Sequence, residues 1–455
     1  PTEKLEVNGT VKATAFQGDG SQLTGLPLPD LTPLAPKMNP TFTGTVSIGT
    51  ATPSFTAITP FTQLGSNING DASSGDKTGY SVSLNNDGTI VAFGDYNHDG
   101  NRGRVRVYQY ANSSWTQLGS DIDGAQSSNN YFGKDVSLSS DGTILATSAQ
   151  NYSSNKGHVR IYQYANNAWT QIGNDILGEH SHDRSGWSIS LSSDGNILAI
   201  GAPKNAGDKG HVRVYQWREF LASDIDENGD ILDFNYVNQR DSGFYSDLPI
   251  IITSSDGTAP LAGTYYWTQM GIDIDGDVAG DKYGFHVSLN DDGTIVAIGS
   301  ETTGVKIYEY SSDDDDWTQL GSNLFIETGN HTCSLNGDGT ICIVGNPNNG
   351  GHDYGLVKVY EYSDGSWTQL GQDLTGTESW DLFGGGVDIN SDGTIIAVGA
   401  WFGNSPGADS GYVKISQDKM NFKVDKGMRL VQIVGPTMDP IKVRIVDELP
   451  DSTRG

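Results

Sequence analysis

Residues 131–173 read YFGKDVSLSSDGTILATSAQNYSSNKGHVRIYQYANNAWTQIG. Four runs in this stretch alternate apolar with polar residues or concentrate Val, Ile, Leu and Tyr, the chemistry of half-buried strands. They are labelled A (DVSLS), B (TILATSA), C (HVRIYQY) and D (WTQIG). Between A and B the tripeptide SDG signals a tight turn, glycine supplying the residue with positive φ. A single four-stranded sheet of this size has nowhere to bury both faces, so its meaning depends on whether it recurs.

It recurs throughout. WTQLG at 115–119 is followed by WTQIG at 169–173, WTQMG at 267–271, and WTQLG at 317–321 and 367–371. The turn signal recurs as NDG at 86–88, SDG at 140–142 and 193–195, DDG at 291–293, GDG at 337–339 and SDG at 391–393. No segment with a helical period separates the units. Repeated four-stranded units of this kind signal a β-propeller. Two pieces are orphans: FTQLG at 61–65 has no strand C before it, and YVKISQ at 412–417 has no strand D after it. If they pair, the ring closes. The sequence therefore predicts an all-β chain with a six-bladed β-propeller of four-stranded antiparallel blades over 61–417, closed by its N- and C-terminal strands. Residues 218–266 fill a doubled Trp-to-Trp spacing, between Trp169 and Trp267. They read as an insertion in the C–D hairpin of the third blade, with a degenerate seventh blade as the alternative.

Phe132-Gly133, Phe383-Gly384, Tyr283-Gly284 and Gly201-Ala202-Pro203 resemble the FG-GAP repeats of integrin-like propellers, in the shorter form found in secreted bacterial proteins and large marine viruses. The resemblance implies the fold across 61–417 and little about activity. The calcium loop that integrin-type repeats carry between A and B is shortened here to SSDG, so those metal sites are expected to be missing. Residues 1–60, with PTEKLEVNGTVKATAF and NPTFTGTVSIG, resemble the shaft repeats of phage and virus tail fibres, which wind as trimers. The resemblance implies a homotrimer through this segment and contacts with other virion or fibre subunits. Residues 418–455 hold three plausible strands, a small β module or the start of a further shaft. The opening PTEKLEVNG, without an initiator Met, is expected of a piece of something longer.

Composition narrows the classes. The formal net charge of −29 argues against nucleic acid as a partner. No run of about 18 apolar residues is present, so no membrane insertion is expected. Fifty-nine glycines among 455 residues suit a protein made of turns. The two cysteines, Cys333 and Cys342, give no disulfide framework and read as small core residues.

Topology selects a working face. Loops D–A and B–C share one end of the ring, and hairpins A–B and C–D share the other, where the shaft attaches. The distal loops are long and irregular, as binding loops on a rigid scaffold are. Tyr131, Tyr152, Tyr354, Trp380, Trp401 and Phe402 are candidates to stack on sugars, with Arg184 among the polar neighbours for hydroxyls. Asp95, Asn97 and Asp99 before Gly100 open like a calcium loop, and Asp224, Asp226 and Asn228 before Gly229 match one more closely, without its terminal glutamate. His180, His182 and Asp183 have the donor types of a transition-metal site but read as a polar loop without a fourth ligand. No catalytic constellation is recognisable, and the chain is expected not to be an enzyme. The expected function is attachment at a virion surface, the propeller binding a host receptor, a surface glycan, with calcium as the only implied cofactor. A secreted or cell-surface bacterial adhesin and a purely structural capsid or fibre spacer are the alternatives.

Overall fold

A computed structural model describes residues 63–71, 75–124, 129–219, 265–349, 353–376, 378–401 and 412–417. The shaft-like segment 1–60, most of the insertion, the C-terminal module, Phe402, Asp224, Asp226 and Asn228 lie outside the described residues. Six antiparallel sheets follow one another along the chain, the first five with strand order A-B-C-D and the sixth with A-B-C among the described residues. The strands of the second blade are Val136–Leu138, Ile144–Ala149, His158–Ala165 and Ala168–Leu177. The sixth shows Phe383–Ile389, Ile395–Ala400 and Tyr412–Gln417. The architecture is thus a six-bladed propeller.

Each A–B turn is built the same way. In the second blade Asp141 Oδ1 accepts from the Thr143 amide (2.9 Å) and hydroxyl (2.8 Å), while Gly142 takes φ +71°. Asp87, Asp194, Asp292, Asp338 and Asp392 repeat the bond to the amide two residues on. This local side-chain bond fixes the hairpin before any blade packs on another.

Three layers of polar stitching join the blades. Nearest the axis, main-chain bonds run from turn to turn: Asn86 to Ser140 (3.0 Å), Ser140 to Ser193 (2.8 Å), Ser193 to Asp291 (2.8 Å), Asp291 to Gly337 (2.9 Å) and Gly337 to Ser391 (2.9 Å). In the channel wall, a serine of one strand A accepts the amide of the next: Leu138 N to Ser83, Leu191 N to Ser137, Leu289 N to Ser190 and Leu335 N to Ser288, each 3.0 Å. At the rim, the tryptophan opening strand D donates Nε1 to the preceding blade: Trp169 to the Leu118 carbonyl (2.9 Å), Trp317 to Met270 (2.8 Å) and Trp367 to Leu320 (2.9 Å).

Between these layers lies the apolar core, which is shared by neighbouring blades rather than owned by one. Phe132, Val136 and Leu138 of the second blade pack with Val105, Val107 and Ile90 of the first. Burying one such side chain stabilises by roughly 1.5–3 kcal/mol, so each seam is held by several of them. Cys333 and Cys342 are fully buried in the seam between the fourth and fifth blades, and neither forms a disulfide.

The first orphan keeps the marks of a strand D. Trp115 Nε1 donates to the Leu64 carbonyl (2.7 Å), repeating the rim bond. Gln63 Nε2 reaches Asn67 at 2.7 Å, as Gln117 reaches Asp121 and Gln171 reaches Asp175 in later copies. The seam it belongs to differs from the rest. Val82 and Leu84 are 64% and 59% exposed, and Val413 is 68% exposed, where Val136, Leu138 and Val105 are all under 9%.

Candidate ligand-binding face

The loops after strands B and D meet at one end of each blade. Tyr131 N donates to the Asn101 carbonyl (3.0 Å), Arg184 N to Asn155 (2.9 Å), Lys282 N to Asp208 (2.8 Å) and Leu382 N to Asp353 (3.1 Å). A buried acid or amide locks each junction. Asp281 accepts the Glu301 amide on its carbonyl (2.7 Å), while its carboxylate takes the hydroxyls of Thr302 (2.5 Å) and Thr303 (3.0 Å). Asp76, Asn130, Asp183 and Asp381 hold the equivalent place and are all 9% exposed or less. Sequence reasoning missed these residues. Their signal was an Asp or Asn three residues before a glycine: Asp76 and Gly79, Asp183 and Gly186, Asp281 and Gly284, Asp381 and Gly384. The result is a face of long loops with a rigid base.

The residue before each of these acids adopts a left-handed conformation. The position is Gly75 (φ +110°), Asn129 (+69°), His182 (+78°), Gly280 (+86°) and Trp380 (+71°). Glycine and asparagine suit it; a bulky aromatic does not. Trp380 is nevertheless 61% exposed, so no core packing offsets that strain. Two further expected residues stand open near it. Trp401 is 51% exposed and its indole lies over Gly385, while Tyr354 is 38% exposed and its carbonyl accepts the Phe383 amide at 3.3 Å. The segment 378–385 therefore ties all three aromatics to the junction of the fifth and sixth blades.

The other expected aromatics are placed differently. Tyr131 packs edge-on against Tyr96 at 5.4 Å, and Tyr152 against His158 at 4.4 Å, so both serve blade packing. Arg184 stacks over Trp187 at 5.5 Å. None of these three joins the cluster at the fifth and sixth blades.

The residues read as a calcium loop also have other partners. Asp95 is fully buried, and its Oδ2 accepts from Arg104 Nε at 2.7 Å and Arg106 Nε at 3.0 Å. Asp99 lies 3.5 Å from Arg102. The turn around Asn97 follows the repeat: Asp99-Gly100, Ser153-Ser154 and Ala206-Gly207 all take two successive left-handed residues. Blades without the acids make the same turn, so the conformation needs no cation. Groups of histidine and carboxylate that could hold a metal lie elsewhere: Asp71, Asp76 and His98; Glu179, His180 and Asp183; Glu179, His211 and Asp273. In the first, His98 Nδ1 is hydrogen-bonded to Asp76 at 3.0 Å and Asp71 is paired to Arg104.

At the opposite end of the axis lies a polar cavity of about 650 Å³, lined by Asn86, Asp291, Asp338, Asn390 and Asp392 among others. The Asp291 carboxylate spans it, accepting from Ser193 Oγ (2.6 Å) and Ser391 Oγ (2.7 Å).

No protein-family model matches this chain, and no curated protein does. Among solved structures, it is similar to a Bacteroides uniformis protein described as "a putative 6-phosphogluconolactonase". The two share 10% identity with a TM-score of 0.46, over 74% of this chain and 80% of that one. The likeness extends to the fold alone. It does correct one expectation: a structure of similar build bears an enzyme's description, so the exclusion of catalysis does not stand. No activity or substrate passes to this chain from it.

Proposed function

We propose that this is a receptor-binding propeller of the FG-GAP kind, carried on a fibre at a virion surface, and that it attaches to a host glycan through the loops of its fifth and sixth blades. The observation that carries the reading is Trp380. An exposed indole stands at a left-handed position which other blades fill with glycine, asparagine or histidine. Backbone strain of about 1–3 kcal/mol without compensating burial is a signature of functional sites. With Trp401 and Tyr354 tied to the same segment, the junction offers aromatic faces for sugar rings beside the polar loops around them. The fibre element rests on the tail-fibre resemblance of residues 1–60. The test is a glycan-array screen of the chain beside Trp380→Ala and Trp401→Ala variants. Specific binding abolished by either substitution supports the proposal; binding indifferent to both moves the site away from the fifth and sixth blades, and none at all transfers support to the spacer.

A further inference from the structure

Among the described residues, the third blade gathers a set of donors that no other blade repeats. Glu179 follows strand D of the second blade, His211 opens strand C of the third, and Asp273 follows its strand D. His211 is 2% exposed, and its ring makes no hydrogen bond among the described residues. Its Nδ1 instead points between two carboxylate oxygens, 3.8 Å from Glu179 Oε2 and 3.6 Å from Asp273 Oδ2. These separations are too long for hydrogen bonds. They approach the spacing of about 3.4 Å between ligands that each lie about 2.0–2.2 Å from a tetrahedral metal. All three donor atoms lie within 4.8 Å of one another.

Both carboxylates are anchored by other side chains. Arg213 donates Nε to Asp273 Oδ1 (3.1 Å) and Nη2 to Asp273 Oδ2 (3.2 Å) and also meets Glu179 Oε1, while Asn205 Nδ2 donates to Glu179 Oε2 at 3.3 Å; each oxygen facing His211 thus accepts one bond and keeps a second lone pair. Gln269 fixes the Asp273 Oδ1 further at 2.7 Å. Such outer partners orient ligands and sharpen affinity in metal sites. Two carboxylates against one guanidinium leave the pocket with a net negative charge that a divalent cation would neutralise. The second blade supplies an internal comparison. It carries His158 and Asp175 at the matching positions, but Ala125 where the third has Glu179, and its histidine packs on Tyr152.

We propose that Glu179, His211 and Asp273 form a site for a zinc-class divalent transition metal, with one coordination position left for water or a further ligand. Nitrogen and carboxylate donors in this number suit zinc better than calcium, which takes six to eight oxygens. The site stands independently of the glycan reading, since it lies in the third blade and uses none of the aromatics at the fifth and sixth.

The test uses the untagged chain stripped with chelator, titrated calorimetrically with Zn2+, with metal content measured after dialysis. One equivalent should bind, and the melting temperature should rise with it. Glu179→Ala copies the second blade's own residue at this position, so it is expected to fold; it should weaken binding by more than about 100-fold, beyond the roughly 10–100-fold typical of outer partners. His211→Asn should do the same, while His158→Asn should leave binding unchanged. Cobalt substitution should give the intense visible bands of a low-coordinate site, absent from the Glu179→Ala chain. Failure of the folded chain to bind Zn2+, or a stoichiometric site insensitive to Glu179→Ala, overturns the assignment.

Discussion

Gly201 in the third blade and Gly284 in the fourth meet backbone to backbone: a Cβ on Gly201 would lie 2.1 Å from the Gly284 carbonyl oxygen. Gly345 and Gly384 repeat the contact, with a distance of 2.4 Å to the Gly384 oxygen. In both pairs the first glycine lies near the end of strand B of one blade, the second opens the next, and the aromatic beside it is buried between them. Tyr283 and Phe383 are both 0% exposed.

Gly201→Ala is therefore expected to destabilise by about 3 kcal/mol or more, because backbone, not a flexible side chain, must move. Gly207→Ala, at φ +72° but with open space around it, should cost only about 1–2 kcal/mol. Urea unfolding of the two variants side by side measures the difference; equal costs would mean the seam can open without loss.

Trp380→Gly separates stability from recognition. Glycine is the residue that the repeat uses at Gly75 and Gly280, and it relieves the left-handed strain. The variant should be at least as stable as the parent, by up to about 1 kcal/mol, and yet lose glycan binding. Thermal melts and the array decide it together. A stability loss above 1 kcal/mol would show that the indole packs on something structural.

Most of this architecture was legible in the sequence because its determinants are local and repeated. The Asp-Gly-Thr turns, the alternating strands and the rim tryptophans each declare themselves within a few residues, and six-fold repetition removes the ambiguity of any single copy. The left-handed positions were harder: nothing in the local sequence of Trp380 distinguishes it from an ordinary exposed loop residue until the equivalent residues are superposed. Tyr131 and Tyr152 read as open aromatics because their covering partners, Tyr96 and His158, come from other strands and loops. Asp95 read as a metal ligand because Arg104 and Arg106, nine and eleven residues on, turn back to it only once strands B and C pair.

Asp135 makes the stability of the ring depend on pH. Burial raises its carboxyl from 3.8 to about 6, against the opposing effect of bonds from the Ile189 amide and the Ser81 hydroxyl. A raised acid pKa means that the folded state holds the proton more tightly than the unfolded chain. The contribution is then full below about pH 4 and is lost as pH rises through 6. Since Asp135 as a whole is only half-buried, the loss should be about 1–3 kcal/mol. Asp135→Asn should stabilise by that amount at pH 7.5 and change little at pH 4, measured by urea titration at both. A benefit independent of pH would sink the account.

The seam between the last and first blades should be the first to open. Leu138, Leu191, Leu289 and Leu335 each donate their amide to a serine of the preceding blade, and Val136 is only 5% exposed. At the corresponding place in the first blade, Val82 and Leu84 are mostly exposed, and in strand C of the sixth blade so is Val413. Local opening free energy follows buried apolar contact and protected hydrogen bonds, both lower here. Amide exchange over Thr78–Leu84 and Tyr412–Gln417 should therefore be at least about tenfold faster than over Ser188–Leu191 and His211–Glu219, the same strands mid-ring. Substitution should agree: Val136→Ala is expected to cost about 2 kcal/mol, and Val82→Ala under about 1. Equal protection at all six seams would show that residues 78–84 are as well covered as the rest, and that the ring is sealed by more than Leu64 and Trp115.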